Sequence, residues 1–179
     1  IGYKSANLVG SRSKEGVENL AIFNSAMHIG ANPPLIGIIS RPDSVPRHTL
    51  TNVKAAKTFT LNHVNANMYE QAHRTSAKYA ASESEFDKTG LQVKYLENFS
   101  APFVDECQVQ IGLKLREIIP IEINGTQLII GEITIIKVHE NYLLKDGSLD
   151  YKQLETITVT GLDTYHKPEH LKKLSYARP

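Results

Sequence analysis

Residues 19–52 read NLAIFNSAMHIGANPPLIGIISRPDSVPRHTLTN, and the architecture follows from how this stretch divides. Val17 to Ile29 reads as one long strand of apolar residues interleaved with small and polar ones. Pro33-Pro34 ends it, because neither proline can donate to a strand ladder and Asn32 is pushed toward extended geometry. Pro34 to Ser40 is almost entirely apolar and predicts a strand buried on both faces. Arg41 to Pro46 is a loop, and His48 to Lys57 predicts a short helix with His48 or Thr49 at its cap.

Working outward, Ser5 to Ser11 predicts a strand, joined to the long one by a turn at Lys14-Glu15-Gly16. Phe59, Leu61 and His63 alternate with Thr60, Asn62 and Val64 in a further strand. Asn67 to Tyr79 predicts a helix with a weak stripe of Met68, Ala72 and Tyr79. Residues 80–101 have no clean period and predict an ordered, partly helical excursion that covers something. Beyond it Val109 to Leu115 alternates as a half-buried strand, and Asn124-Gly125 marks a hairpin between Ile119–Ile123 and Gln127–Ile136. Lys145-Asp146-Gly147 is a turn and Leu154 to Thr160 a last strand. Six or seven strands with short turns and a few inserted helices predict a mainly β chain, a small closed antiparallel barrel forming a single domain over residues 1–179, with a basic tail from Tyr165.

Composition narrows the function. The 179 residues carry 20 Lys and Arg against 19 Asp and Glu, a net charge of +1, which gives no support for a nucleic-acid or membrane-surface partner. No apolar run reaches the roughly 18 residues of a membrane span. One cysteine excludes an internal disulfide, so a reducing cytoplasm is the expected setting. The chain starts at Ile1 with no signal peptide visible, and an upstream segment is allowed for.

Dinucleotide, P-loop and nucleophile-elbow motifs are absent. Cys107 has no sequence-local histidine and reads as a buried structural thiol rather than a nucleophile. His166 and His170 lack a third ligand for zinc. Glu83 and Glu85 read as a solvated acidic loop rather than an acid–base pair. What remains is Arg41, Arg47, His48, Thr49, Thr51 and Asn52, within twelve positions at a strand end and a helix start. Helix N-terminal amides favour an anion, and arginine forks match phosphate oxygens; the other reading is a solvated basic loop. Asn19, Asn24 and Ser25 offer amides and a hydroxyl to a heterocycle's polar edge, or simply pair with nearby backbone. His28 is the titratable group on that strand, read as packing or bonding to backbone.

The motifs N-L-A-x-F-[NS]-S at Asn19–Ser25, A-N-P-P-L at Ala31–Leu35 and H-T-L-x-N at His48–Asn52 resemble those of the flavin reductase-like family. E-F-D-x-x-G-L at Glu85–Leu91, G-E-I at Gly131–Ile133, D-G-x-x-D at Asp146–Asp150 and G-x-x-x-Y at Gly161–Tyr165 continue the resemblance in order. The resemblance implies an FMN-binding split barrel and a homodimer with FMN at the subunit interface. It implies NAD(P)H-dependent reduction of flavin, FMN or possible substrate FAD. Reduction of another acceptor, such as a ferric complex or a quinone-like molecule, and a non-enzymatic flavin-binding sensor are the alternatives. It carries Asn19, Leu20, Ala21, Phe23, Asn24 and Ser25 over to the ring-lining strand, and Arg41, Arg47, His48, Thr49 and Asn52 to the phosphate end. It implies no catalytic side chain, because hydride passes between nicotinamide and flavin. Asn24 stands where serine is common, and His48 where an acidic residue is common. Tyr165 and His166 are open between approaching the ring and capping the barrel.

Overall fold

The computed structural model describes residues 2–96 and 98–178; the chain start at Ile1, Glu97 in the 80–101 excursion and the tail's Pro179 lie outside the described residues. The strands are β1 (Lys4–Ser5), β2 (Asn7–Arg12), β3 (Glu18–Phe23), β4 (Met27–Ala31), β5 (Pro34–Ser40) and β6 (Thr58–His63), with helix α1 (His48–Ala56) before β6. Then come α2 (Tyr69–Arg74), α3 (Glu85–Thr89), β7 (Val93–Lys94), β8 (Phe103–Val104), β9 (Val109–Ile121) and β10 (Thr126–Val138). A 3₁₀ turn at Glu140–Tyr142, α4 (Tyr151–Leu154), β11 (Thr158–Thr160) and β12 (Thr164–His166) complete the chain.

Seven strands form one antiparallel sheet in the order β3-β2-β6-β9-β10-β5-β4. The expected long strand Val17–Ile29 is therefore two strands, and they are the two opposite edges of this sheet. Only Asn24, Ser25 and Ala26 separate them. A link that short spans roughly 13 Å at full extension, so the sheet must curl until its edges approach. Ser25 makes the break: its hydroxyl accepts from the Ile39 amide at 3.0 Å and donates to the Ile39 carbonyl at 3.3 Å, seating the link on β5. No ladder joins β3 to β4 among the described residues, so the closed barrel expected from sequence is a curled sheet with its two edges unpaired.

The concave side holds Val9, Ile38, Phe59, Leu61, Leu113 and Ile129, with Leu50 and Val53 of α1 and Leu154 of α4 packed among them. A second cluster, with Leu8, Leu20, Phe86, Val104, Ile157 and Val159, lies on the other face of β2 and β3. The strands between these cores are buried on both sides. Val109 to Leu113 are all buried rather than half-buried. Thr60 and Asn62 of β6 are buried too, and their side chains donate to the carbonyls of Pro102 at 2.6 Å and Leu8 at 3.1 Å.

One expected helix and one expected strand come out shorter. The Asn67–Tyr79 helix shortens to α2, where the Thr75 hydroxyl donates to the Ala72 carbonyl and ends it. The last strand shortens to β11, because the Asp150 side chain accepts from the amides of Lys152 and Gln153 and starts α4 instead. No helix among the described residues is long and apolar enough to cross a membrane.

Candidate functional site

The starts of β3, α1 and α3 converge. As an edge strand, β3 pairs only with β2, and the Ser13 amide donating to the Val17 carbonyl at 2.9 Å sets which groups face which way. By antiparallel alternation Asn19, Ala21 and Phe23 bond to β2, while Glu18, Leu20 and Ile22 turn amide and carbonyl to the open side. The Leu20 amide donates to Glu85 Oε2 at 2.8 Å. The outward amide and carbonyl of half-buried Ile22 have no protein partner among the described residues. One free donor and one free acceptor at strand spacing match the imide or amide edge of a planar heterocycle.

Glu85 is buried, which corrects its reading as part of a solvated loop. Burial pushes its carboxyl above the ordinary glutamate range, opposed by the Leu20 amide and by the charge of nearby His48. Glu83 does behave as expected, exposed and paired with Lys88 at 2.7 Å.

Beside this edge a buried polar cluster fastens α1 to the β2–β3 hairpin. Asn19 Nδ2 donates to Ser11 Oγ at 3.2 Å and to Thr49 Oγ1 at 3.0 Å, and Asn52 Nδ2 donates to the same Ser11 Oγ at 3.2 Å. Neither His48 nor Thr49 caps the helix. The cap residue is Arg47, extended and without a side-chain cap bond, and the first turn holds no acid. The first-turn amides of α1 are thus left to an outside acceptor, and they carry the positive end of the helix dipole. Arg47 Nε donates to the Pro42 carbonyl at 2.9 Å, which fixes the stem of that side chain at the helix mouth.

The structure therefore gathers Asn19, Leu20, His48, Thr49 and Asn52, with Arg47 at their rim. Other candidates are used differently. Asn24 Nδ2 donates to the Gly161 carbonyl at 2.9 Å and Ser25 binds β5, so both follow the backbone-pairing alternative. Phe23 packs on the inner core, Ala21 is half-buried, and Arg41 and His28 are exposed. Cys107 is buried 3.6 Å from Met68 Sδ, and burial pushes its thiol far up, as a structural cysteine. His166 Nε2 shares a hydrogen bond with Thr160 Oγ1, and no metal-binding cluster is present among the described residues. Tyr165 packs against the outer core beside Ile22, its hydroxyl 2.9 Å from His73 Nδ1.

Sequence reasoning misjudged the burial of Glu85 and missed Ser11 and the pairing of Tyr165 with His73. Ser11 sits three residues from a turn, where serine is unremarkable. Its burial follows only from α1 lying across it.

The flavin reductase like domain model matches residues 5–154. A protein of Shewanella frigidimarina described as a flavin reductase with a split barrel domain is 46% identical with a TM-score of 0.94; the match covers 98% of this chain and 87% of that one. Nitrilotriacetate monooxygenase component B of Bacillus cereus is 26% identical with a TM-score of 0.88, covering 97% of this chain and 88% of that one. Flavoredoxin of Desulfovibrio vulgaris is 25% identical with a TM-score of 0.83, covering 97% and 91%. With that match, and with the split-barrel neighbours that share its curled sheet, the chain belongs to the flavin reductase-like family.

Proposed function

We propose that this protein is a single-domain FMN-binding oxidoreductase that takes reducing equivalents from NADH or NADPH and passes them to free flavin. One observation carries the reading: the uncapped, acid-free start of α1 is fastened to Asn19, three residues along β3 from the open amide and carbonyl of Ile22. That pair of features fits the two ends of FMN, whose phosphate suits helix N-terminal amides and whose pyrimidine edge suits a strand edge.

On this reading Arg47, His48 and Thr49 receive the phosphate, and Arg41 adds long-range attraction from the exposed loop. Asn19 and Asn52 act through Ser11, holding α1 in place rather than touching ligand. Leu20, Ala21 and Phe23 serve by backbone position, and Asn24 and Ser25 by fixing where β3 ends. Bound flavin supplies the hydride-accepting ring. The chain's part is to bind, orient and shield it, and no side chain need transfer a proton. A second copy of the chain completes the site from the other side.

Titrating FMN with the purified protein tests this directly. Flavin fluorescence should be quenched at micromolar protein, and NAD(P)H should then be oxidised with flavin as acceptor. Absence of quenching ends the cofactor reading; quenching without NAD(P)H oxidation ends the reductase reading. Arg47→Ala should weaken FMN by about tenfold or more, the worth of a charged hydrogen bond of about 1.5–3 kcal/mol.

A further inference from the structure

Glu85 is a buried carboxylate on a helix of only five residues, spent on a single backbone amide of an edge strand. Leu20 is fully buried, so its outward amide cannot turn to water and needs a protein acceptor, which the carboxylate supplies at the cost of its own desolvation. The surroundings hold it in place. Phe86 anchors α3 in the outer core, and the Thr89 hydroxyl donates to the Glu85 carbonyl at 2.7 Å. Gly90, at φ +77°, closes the helix by donating its amide to the Phe86 carbonyl at 2.9 Å. The carboxylate therefore has a fixed address on Leu20 of β3, with the charge of His48 at the start of α1 near enough to act on it.

We infer that Glu85 is the positioning residue of the flavin edge: by holding the Leu20 amide it sets the height and tilt of β3, so that the next outward pair, the amide and carbonyl of Ile22, is presented to the ligand. The inference rests on the FMN reading above. One consequence follows from geometry. The carboxylate closes the Leu20 position to any added strand, so beyond it along β3 Ile22 alone keeps an open amide and carbonyl. What the position requires is an acceptor at full glutamate reach. A glutamine keeps that acceptor, whereas aspartate withdraws it by one methylene.

The test compares Glu85→Ala, Glu85→Asp and Glu85→Gln by FMN fluorescence titration and by hydrogen exchange of the ligand-free protein at residues 18–23. Ala and Asp should each weaken FMN by about tenfold or more, and Gln should recover most of that loss. In the same order, exchange at the Leu20 amide should quicken about tenfold for Ala and Asp and stay slow for Gln. Wild-type affinity in Glu85→Asp, or a loss in Glu85→Gln as large as in Glu85→Asp, overturns the inference. Should Glu85→Ala fail to fold, the Asp and Gln pair carries the comparison, since both keep a polar group of similar size. If wild-type protein does not quench FMN, the flavin reading fails alone. Exchange then decides the positioning role: slow exchange restored by Gln supports it, and equal protection in Asp and wild type rejects it.

Discussion

Two titratable side chains, buried Glu85 and half-buried His63, show what single residues hide in a sequence. His63 ends β6, and its Nδ1 is buried with no hydrogen-bond partner among the described residues. Burial pulls its pKa down to about 4, against an ordinary value of 6.5. The unfolded chain then binds a proton that the folded chain refuses. The stability held above pH 6.5 is therefore lost as pH falls toward 4, by about 3 kcal/mol at most. Urea unfolding across this range should show the decline, and His63→Gln should flatten it; an unchanged slope in that variant assigns the acid sensitivity elsewhere. Glu85 acts with the opposite sign. Its raised pKa means that its share of stability is greatest at low pH and fades as pH rises through the raised value. Neither fate was legible. Glu83 and Glu85 are the same residue type two positions apart, one paired in solvent and one buried. What separates them is that α3 docks its first residue, Glu85, against β3 while Glu83 stands before the helix cap, a fact of tertiary packing. Thr49 and Asn52 were legible together because they stand at one helix start, while Asn19 was read on a separate strand; the structure joins Thr49 to Asn19, and both asparagines to Ser11.

At the scale of elements, turns were read well and strand breaks were not. Gly16 (φ +92°) and Gly125 (φ +71°) sit in the two hairpins that the sequence announces. The break between β3 and β4 carries no proline or glycine. It arises because Ser25 bonds to Ile39 of β5, fourteen residues further along the sequence. Close approach of elements leaves a different trace, a glycine inside a strand. A Cβ on Gly10 would lie 2.1 Å from the Pro102 carbonyl oxygen and 2.5 Å from Thr60 Oγ1, where the segment before β8 crosses β2. Gly10→Ala must push backbone aside or break the bond from the Thr60 hydroxyl to the Pro102 carbonyl. The expected cost is on the order of 1–3 kcal/mol or more, read as a lower denaturation midpoint at unchanged slope. A variant as stable as wild type would mean that the crossing is loose enough to move.

For the whole molecule, the outer face of β4, β5, β10 and β9 is the candidate surface for association. Antiparallel register puts Met27, Ile29, Ile39, Leu128 and Ile119 on one side, opposite the inner core. Met27, Ile29 and Ile119 are 42%, 40% and 39% exposed, an apolar stripe that water would not choose to wet. Gly37 lets the stripe lie flat, since a Cβ there would touch Ile29 and Leu128 at 3.0 Å. Alternation made the mainly β character legible, but a face covered by a second copy reads in sequence like any buried face. A second copy laid on this stripe would hide it and bring the two sites to a common interface. Sedimentation should then give about twice the 19.9 kDa chain mass. Ile29→Lys combined with Leu128→Lys should shift it to monomer, because two desolvated ammonium groups oppose burial of the stripe. If the site needs both copies, the same double variant loses FMN affinity in step with the dimer, over a concentration series that moves both together. A monomeric variant with undiminished FMN binding would place the whole site within one chain, on the Ile22 edge and the α1 start alone.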